Sequence, residues 1–81
     1  MVFVYTTCES MEEARMLGTL MIEKKIAACV DMWGVESLYM WEGTLNDRKQ
    51  VMLMVTTLES RLQDVERVIA ENHSYSVPMI A

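Results

Sequence analysis

Two cysteines, one histidine, three glycines and no long apolar run set the first limits on this 81-residue chain. Cys8 and Cys29 are too few for a disulfide framework, and no charged, apolar and small-residue leader opens the sequence. Reduced thiols and a cytoplasmic location are therefore expected. The longest apolar runs, such as Val51 to Val55, fall far short of the ~20 residues that a membrane-spanning helix needs, so no membrane partner is expected. Cations are scarce too: seven Lys and Arg against twelve Asp and Glu give a formal charge of −5, and the longest basic run is Lys24-Lys25. Neutralising phosphates is most of what nucleic-acid affinity requires, which removes nucleic acid from the expected partners. Catalytic signatures are missing as well. No Gly-rich loop precedes a helix, no nucleophile stands at recognisable spacing from a base and an orienting acid, and the sole histidine has no carboxylate in its motif. An enzyme is not expected.

What is present is a chain that is 52% hydrophobic and 23% charged, the composition of one soluble domain over residues 1–81. A chain of this length buries only about 60–65% of its unfolded surface, so its core is marginal unless a metal or other subunits add to it. Val2 to Thr7, β-branched and aromatic, reads as a buried strand. Ser10 and Glu13 have capping-box spacing, the Ser10 hydroxyl accepting from the third amide on and Glu13 reaching back to the Ser10 amide. The helix they open is predicted over Met11 to Lys25, with Ala14, Leu17, Gly18 and Met21 on one stripe. Gly18 in that stripe points to close approach of a sheet.

From Ala27 to Trp41 the pattern is extended, with a bulge or bend expected at Gly34. Turn chemistry is expected over Gly43 to Asp47, centred on Asn46-Asp47, and Gln50 to Thr57 is extended again, which makes a long antiparallel hairpin. Ser37, Tyr39 and Trp41 alternate with Leu38 and Met40, and neither set suits open water. Ser60 and Gln63 repeat the capping-box spacing, Leu58, Leu62, Val65 and Ile69 mark a helical face, and a last strand is predicted from Val77. The order strand, helix, strand, strand, helix, strand is that of an α+β ferredoxin-like βαββαβ sandwich, an antiparallel sheet with two helices on one face. With Val51, Leu53 and Val55 on one side and Met52 and Met54 on the other, an apolar face remains once the helices are placed. Such a face implies a homo-oligomer packed by its sheets.

The landmarks fall in a fixed order: Ala27-Ala28-Cys29-Val30; Ser37, Tyr39, Trp41 and Gly43 at alternating positions; the Thr56-Thr57 pair; and His73, Tyr75 and Pro78 near the end. In this order the chain resembles the CutA divalent-ion-tolerance family. The resemblance implies a cytoplasmic homotrimer of ferredoxin-like fold, associated with tolerance to divalent ions and with copper binding. It also implies a cleft between subunits near Cys29, Tyr39, Trp41 and His73. Several positions depart from the family pattern. Val55 stands where relatives carry a lysine, Ser74 and Ser76 stand where a proline and an acidic residue are usual, and Met79 replaces a frequent glutamate. The family's further strand and terminal helix are expected to be missing from this chain.

Cys29 is the first metal-ligand candidate, because a thiolate binds copper(I) or zinc strongly, although a buried free cysteine also serves as a small hydrophobe. His73, expected where the second helix ends, offers an imidazole or else a cation for the helix terminus. Cys8 and the nine methionines read as packing, and Tyr39 and Trp41 as interface or as lining of a ligand cleft. The expected function is thus a homotrimeric, copper-binding protein of divalent-cation tolerance with no catalysis, the metal held by Cys29 with His73. The alternative is a metal-independent trimeric signalling or interaction scaffold.

Overall fold

The computed structural model describes residues 1–74. Three strands and two helices follow one another as β1 (Val2–Cys8), α1 (Met11–Glu23), β2 (Cys29–Trp41), β3 (Thr44–Thr57) and α2 (Leu62–Asn72). The strands form one antiparallel sheet in the order β1-β3-β2, so the longest strand lies in the middle. Val2 of β1 faces Thr57 and Cys8 faces Val51, while Cys29 of β2 faces Thr56 and Trp41 faces Thr44. Both helices lie on one face of this sheet, giving the ferredoxin-like layering expected from the element order. The predicted strand from Val77, together with Tyr75 and Pro78, lies outside the described residues.

Alternation along the strands sorts the side chains. Val4, Cys8, Val51, Leu53 and Val55 turn towards the helices and meet Leu17, Met21, Val65 and Ile69 in one core. Fully burying an aliphatic side chain of this size contributes about 1.5–3 kcal/mol. The opposite face carries Phe3, Tyr5, Met52, Met54 and Trp33, of which Phe3 remains 55% and Trp33 42% exposed. Gly18 lets α1 lie against the sheet: a Cβ built there would stand 2.8 Å from Val30 Cγ2.

Three local expectations are corrected. Gly34 makes no bulge, since it faces Val51 within an unbroken register from Cys29 to Trp41. The hairpin turns at Glu42-Gly43, with φ of 52° and 79°, while Asn46 and Asp47 pair inside β3 with Tyr39 and Leu38. Two successive residues of positive φ give the twist that joins antiparallel strands in two residues, and the tight turn leaves no slack for a bulge. Ser60 does not cap α2. A 3-10 turn over Glu59–Arg61 opens this segment instead, with the Arg61 amide donating to the Leu58 carbonyl at 2.8 Å.

Helix α1 stops two residues before the predicted Lys25 because Lys25 takes a left-handed φ of 61°. The Ile26 amide then donates to the Met21 carbonyl at 3.1 Å and the Lys25 amide to the Ile22 carbonyl at 3.0 Å. This pair of bonds is the Schellman closure of a helix, and buried Met21 and Ile26 supply the apolar contact that accompanies it. Because β1 ends opposite Val51, the hairpin beyond Val35 and Gln50 is a two-stranded ribbon among the described residues. Leu38, Met40, Leu45 and Trp41 are exposed along it. Among the described residues no helix is long and apolar enough to cross a membrane.

Candidate metal centre

The site forms where β1 turns into α1 and where the chain leaves α2. Ser10, extended at φ −146° and ψ 163°, caps α1 by accepting the Glu13 amide at 3.1 Å. The reciprocal half of the capping box is shifted by one residue, since Glu13 Oε1 accepts the Glu9 amide, not that of Ser10, at 2.9 Å. Glu13 Oε2 accepts the Ser74 amide at 2.8 Å, so one carboxylate ties the start of α1 to the exit of α2. At that exit the His73 amide still donates to Ile69, but the residue itself is extended, with ψ of 145°. Its ring Nε2–H donates to the Thr7 carbonyl at 2.6 Å.

These bonds gather three different donors. The ligating atoms of Cys8, Glu13 and His73 all lie within 4.8 Å of one another. Zinc-to-ligand bonds of about 2.0–2.3 Å put tetrahedral donors about 3.3–3.7 Å apart, so closure on an ion shortens the separations by up to about 1.5 Å. The surroundings suit such an ion. A ligating histidine ordinarily gives its other N–H to a carbonyl or carboxylate, and Thr7 supplies that carbonyl. With Nε2 protonated, the lone pair of a neutral ring lies on Nδ1. The Glu13 carboxylate accepts the Glu9 amide on Oε1 and the Ser74 amide on Oε2, with the Ser74 side chain as a third hydrogen-bond partner.

Electrostatics separates the two acids. Burial, and then the Glu13 charge, raise the Cys8 thiol from 9.0 to about 11. Partial burial pushes the Glu13 carboxyl upward. The Ser74 side chain, the Glu9 and Ser74 amides and the charge of His73 together outweigh it, leaving the group below its ordinary 4.5. The resting cluster therefore pairs a carboxylate with a protonated thiol, and an ion must displace the thiol proton to gain its sulfur ligand.

Of the residues singled out in the sequence, only His73 belongs to this cluster. Cys29 is exposed on the sheet face away from the helices, its thiol 3.7 Å from Asp31 Oδ2, so it is no buried hydrophobe. It faces Thr56 while Thr7 faces Met52, so within one chain Cys29 is separated from the Thr7–His73 contact by about 13 Å along the strands and about 10 Å across them. Tyr39 and Trp41 stand farther away on the ribbon, facing Asn46 and Thr44. Cys8 and Glu13 were not singled out as ligand candidates. Their available signal was a cysteine at a strand end, five residues before the acid of a capping box.

The sequence model of the family described as "CutA1 divalent ion tolerance protein" matches residues 2–81. The chain belongs to this family. It is 33% identical over 78 residues to the divalent-cation tolerance protein CutA of Archaeoglobus fulgidus, covering 96% of this chain and 76% of that one. It is 32% identical to the chloroplastic protein CutA of Arabidopsis thaliana, covering 98% of this chain and 44% of the other. The crystal structure of CutA1 from Pyrococcus horikoshii superposes with a TM-score of 0.94 at 30% identity, covering all of this chain and 79% of that one. These relatives correct the expected cytoplasmic location. The solved A. fulgidus protein is described as periplasmic and the A. thaliana protein as chloroplastic, so reduced cysteines and family membership do not fix a compartment.

Proposed function

We propose that this CutA1-family chain serves divalent-cation tolerance as a non-catalytic homotrimer that binds copper, the ion being held by Cys8, Glu13 and His73. The observation that carries the reading is the convergence of a thiol, a carboxylate and an imidazole within 4.8 Å, in a cluster whose outer hydrogen bonds already orient two of the donors. Imidazole and thiolate both suit copper, and bound copper would be supplied with one soft and two harder ligands. The residues around it bind and orient. Thr7 fixes the His73 ring, Ser74 and Glu9 fix the Glu13 carboxylate, and the core packed around Cys8 excludes water. The apolar sheet face built from Phe3, Tyr5, Trp33, Met52 and Met54 supports self-association, for which a chain of this size has reason.

Titrating the purified protein with copper(II) under native mass spectrometry and calorimetry tests the site. Cys8→Ser and His73→Ala are each expected to weaken binding by about tenfold or more, whereas Cys29→Ser leaves it unchanged. Equal affinity and stoichiometry in Cys8→Ser, His73→Ala and the parent would remove the site and favour the metal-independent scaffold. Loss in Cys29→Ser alone would move the ion to the open sheet face.

A further inference from the structure

The side of α1 turned away from the sheet is not the uniformly polar surface of a solvated helix. Met16 is 45% and Ile22 40% exposed there, on either side of Thr19. Arg15, Met16, Thr19, half-buried Leu20 and Glu23 line a shallow groove along the helix. A cation stands at one end of that groove and a carboxylate at the other, each four residues from Thr19. Neither Arg15 nor Glu23 has an ion-pair partner among the described residues.

This order of side chains is complementary to its own reverse. When two copies of α1 run antiparallel about a two-fold axis at Thr19, positions equally far from Thr19 on opposite sides come level. Arg15 then lies level with the partner's Glu23, ~6 Å along the helix from the axis, and Met16 with the partner's Ile22, ~4.5 Å from it. A parallel alignment would set each charge against its own copy, so the charges select the antiparallel one. Thr19, short and exposed, stands at the crossing and lets the helix axes approach to about 8–10 Å. Exposed ion pairs add little affinity, so Met16, Leu20 and Ile22 supply the burial while Arg15 and Glu23 set the direction.

We infer that this face of α1 is a contact between two copies of the chain, helix on antiparallel helix, separate from the open sheet face and independent of the Cys8–Glu13–His73 cluster. A single pair of 13-residue helices buries less than the ~800 Å² per partner of a standard interface, so the contact is weak between isolated chains. It gains strength where one assembly carries several α1 faces. Because the helices cover one side of the sheet and the apolar face lies on the other, both contacts can be made at once.

Sedimentation equilibrium of the full chain, from micromolar to submillimolar concentration at low ionic strength, tests the contact. The mass of the basal assembly is expected to double over this range, and Met54→Glu, altered on the far side of the sheet, is expected to double from its own lower mass. Arg15→Glu and Glu23→Arg should each raise the midpoint about tenfold or more by setting like charges level. The double variant Arg15→Glu/Glu23→Arg restores both pairs in the reverse sense and should return to within about threefold of the parent. A parent mass that stays constant overturns the inference and leaves the face to a different protein. Doubling that is lost in Met54→Glu overturns it by placing the contact on the open sheet face. Single variants that match the parent, or a double variant no better than the singles, overturn it as well. A second measurement does not depend on the charge variants: Thr19→Cys in a Cys29→Ser background, once oxidised, should cross-link two copies through the introduced thiol, and a chain that stays uncrosslinked overturns the two-fold at Thr19.

Discussion

The hydroxyl of Thr57 donates to the carbonyl oxygen of Ile26 across 2.6 Å, closing the end of β3 onto the loop that leaves α1. Thr6, on the same face of the sheet and just as buried, has a hydroxyl with no partner among the described residues. The same substitution should therefore act in opposite directions. Thr57→Val takes the donor from a buried carbonyl and is expected to cost about 1–3 kcal/mol, while Thr6→Val removes an orphaned hydroxyl and is expected to stabilise by about 1 kcal/mol. Urea midpoints of the two variants should lie on either side of the parent. Midpoints that both fall would show that the Thr6 hydroxyl is satisfied in solution.

Gly18 offers a contest between two known effects. Alanine is the better helix former by about 1 kcal/mol, but its Cβ would stand 2.8 Å from Val30 Cγ2, and valine is stiff about its χ1. Overpacking of this kind costs about 1–3 kcal/mol, so the clash should win and Gly18→Ala should lose about 1 kcal/mol net. Combining it with Val30→Ala should recover part of that loss, a positive coupling that a double-mutant cycle in urea measures directly. Additive losses would mean that α1 lies farther from β2 than the contact indicates.

Most of this architecture could be read along the chain, because the periodicities are local. The alternation of Val51, Leu53 and Val55 with Met52 and Met54 gives both faces of β3, and the stripe through Leu17, Gly18 and Met21 gives the buried side of α1. Turn placement was less legible. Asn46-Asp47 carries turn-forming residues, but Glu42-Gly43 takes the positive φ values, and the register that follows decides the matter for Gly34 as well. The Cys8–Glu13–His73 cluster was least legible. Cys8 and Glu13 meet His73 only because α2 returns the chain to the end of β1, a contact across 60 or more positions that no short motif encodes.

Acid and alkali should destabilise the protein through different members of that cluster. Glu13 titrates below its ordinary 4.5 in the fold, so its contribution is present above that value and is lost as the pH falls through the lowered folded value. Cys8 is raised from 9.0 to about 11, so the advantage of keeping a neutral thiol is complete below pH 9 and disappears as the pH rises from 9 towards 11. Glu13→Gln should thus be less stable than the parent at neutral pH and converge with it in acid. Cys8→Ala should flatten the loss above pH 9. Denaturant midpoints across pH 3–11 check both, and parallel curves for parent and variants would disprove the linkage. Thiol labelling gives an independent check, since buried Cys8 should react only on opening of the fold.

The open face of the sheet can be tested separately from the metal cluster because the two lie on opposite sides. Met54 sits centrally there, facing Tyr5 on β1 and Asp31 on β2, and Cys8 points the other way into the core. Met54→Glu places a carboxylate at the middle of the apolar patch, next to Asp31 and with no cation opposite, so association through this face would have to bury like charges. Analytical ultracentrifugation at micromolar concentration should show the parent as an oligomer of the mass expected for a trimer and Met54→Glu as a monomer. Copper affinity per chain should stay within about twofold of the parent, because all three donors come from one protomer. An oligomer that survives Met54→Glu would move the interface to the exposed ribbon around Leu38, Met40 and Leu45. A monomer that no longer binds copper would mean that the site is completed by a second chain.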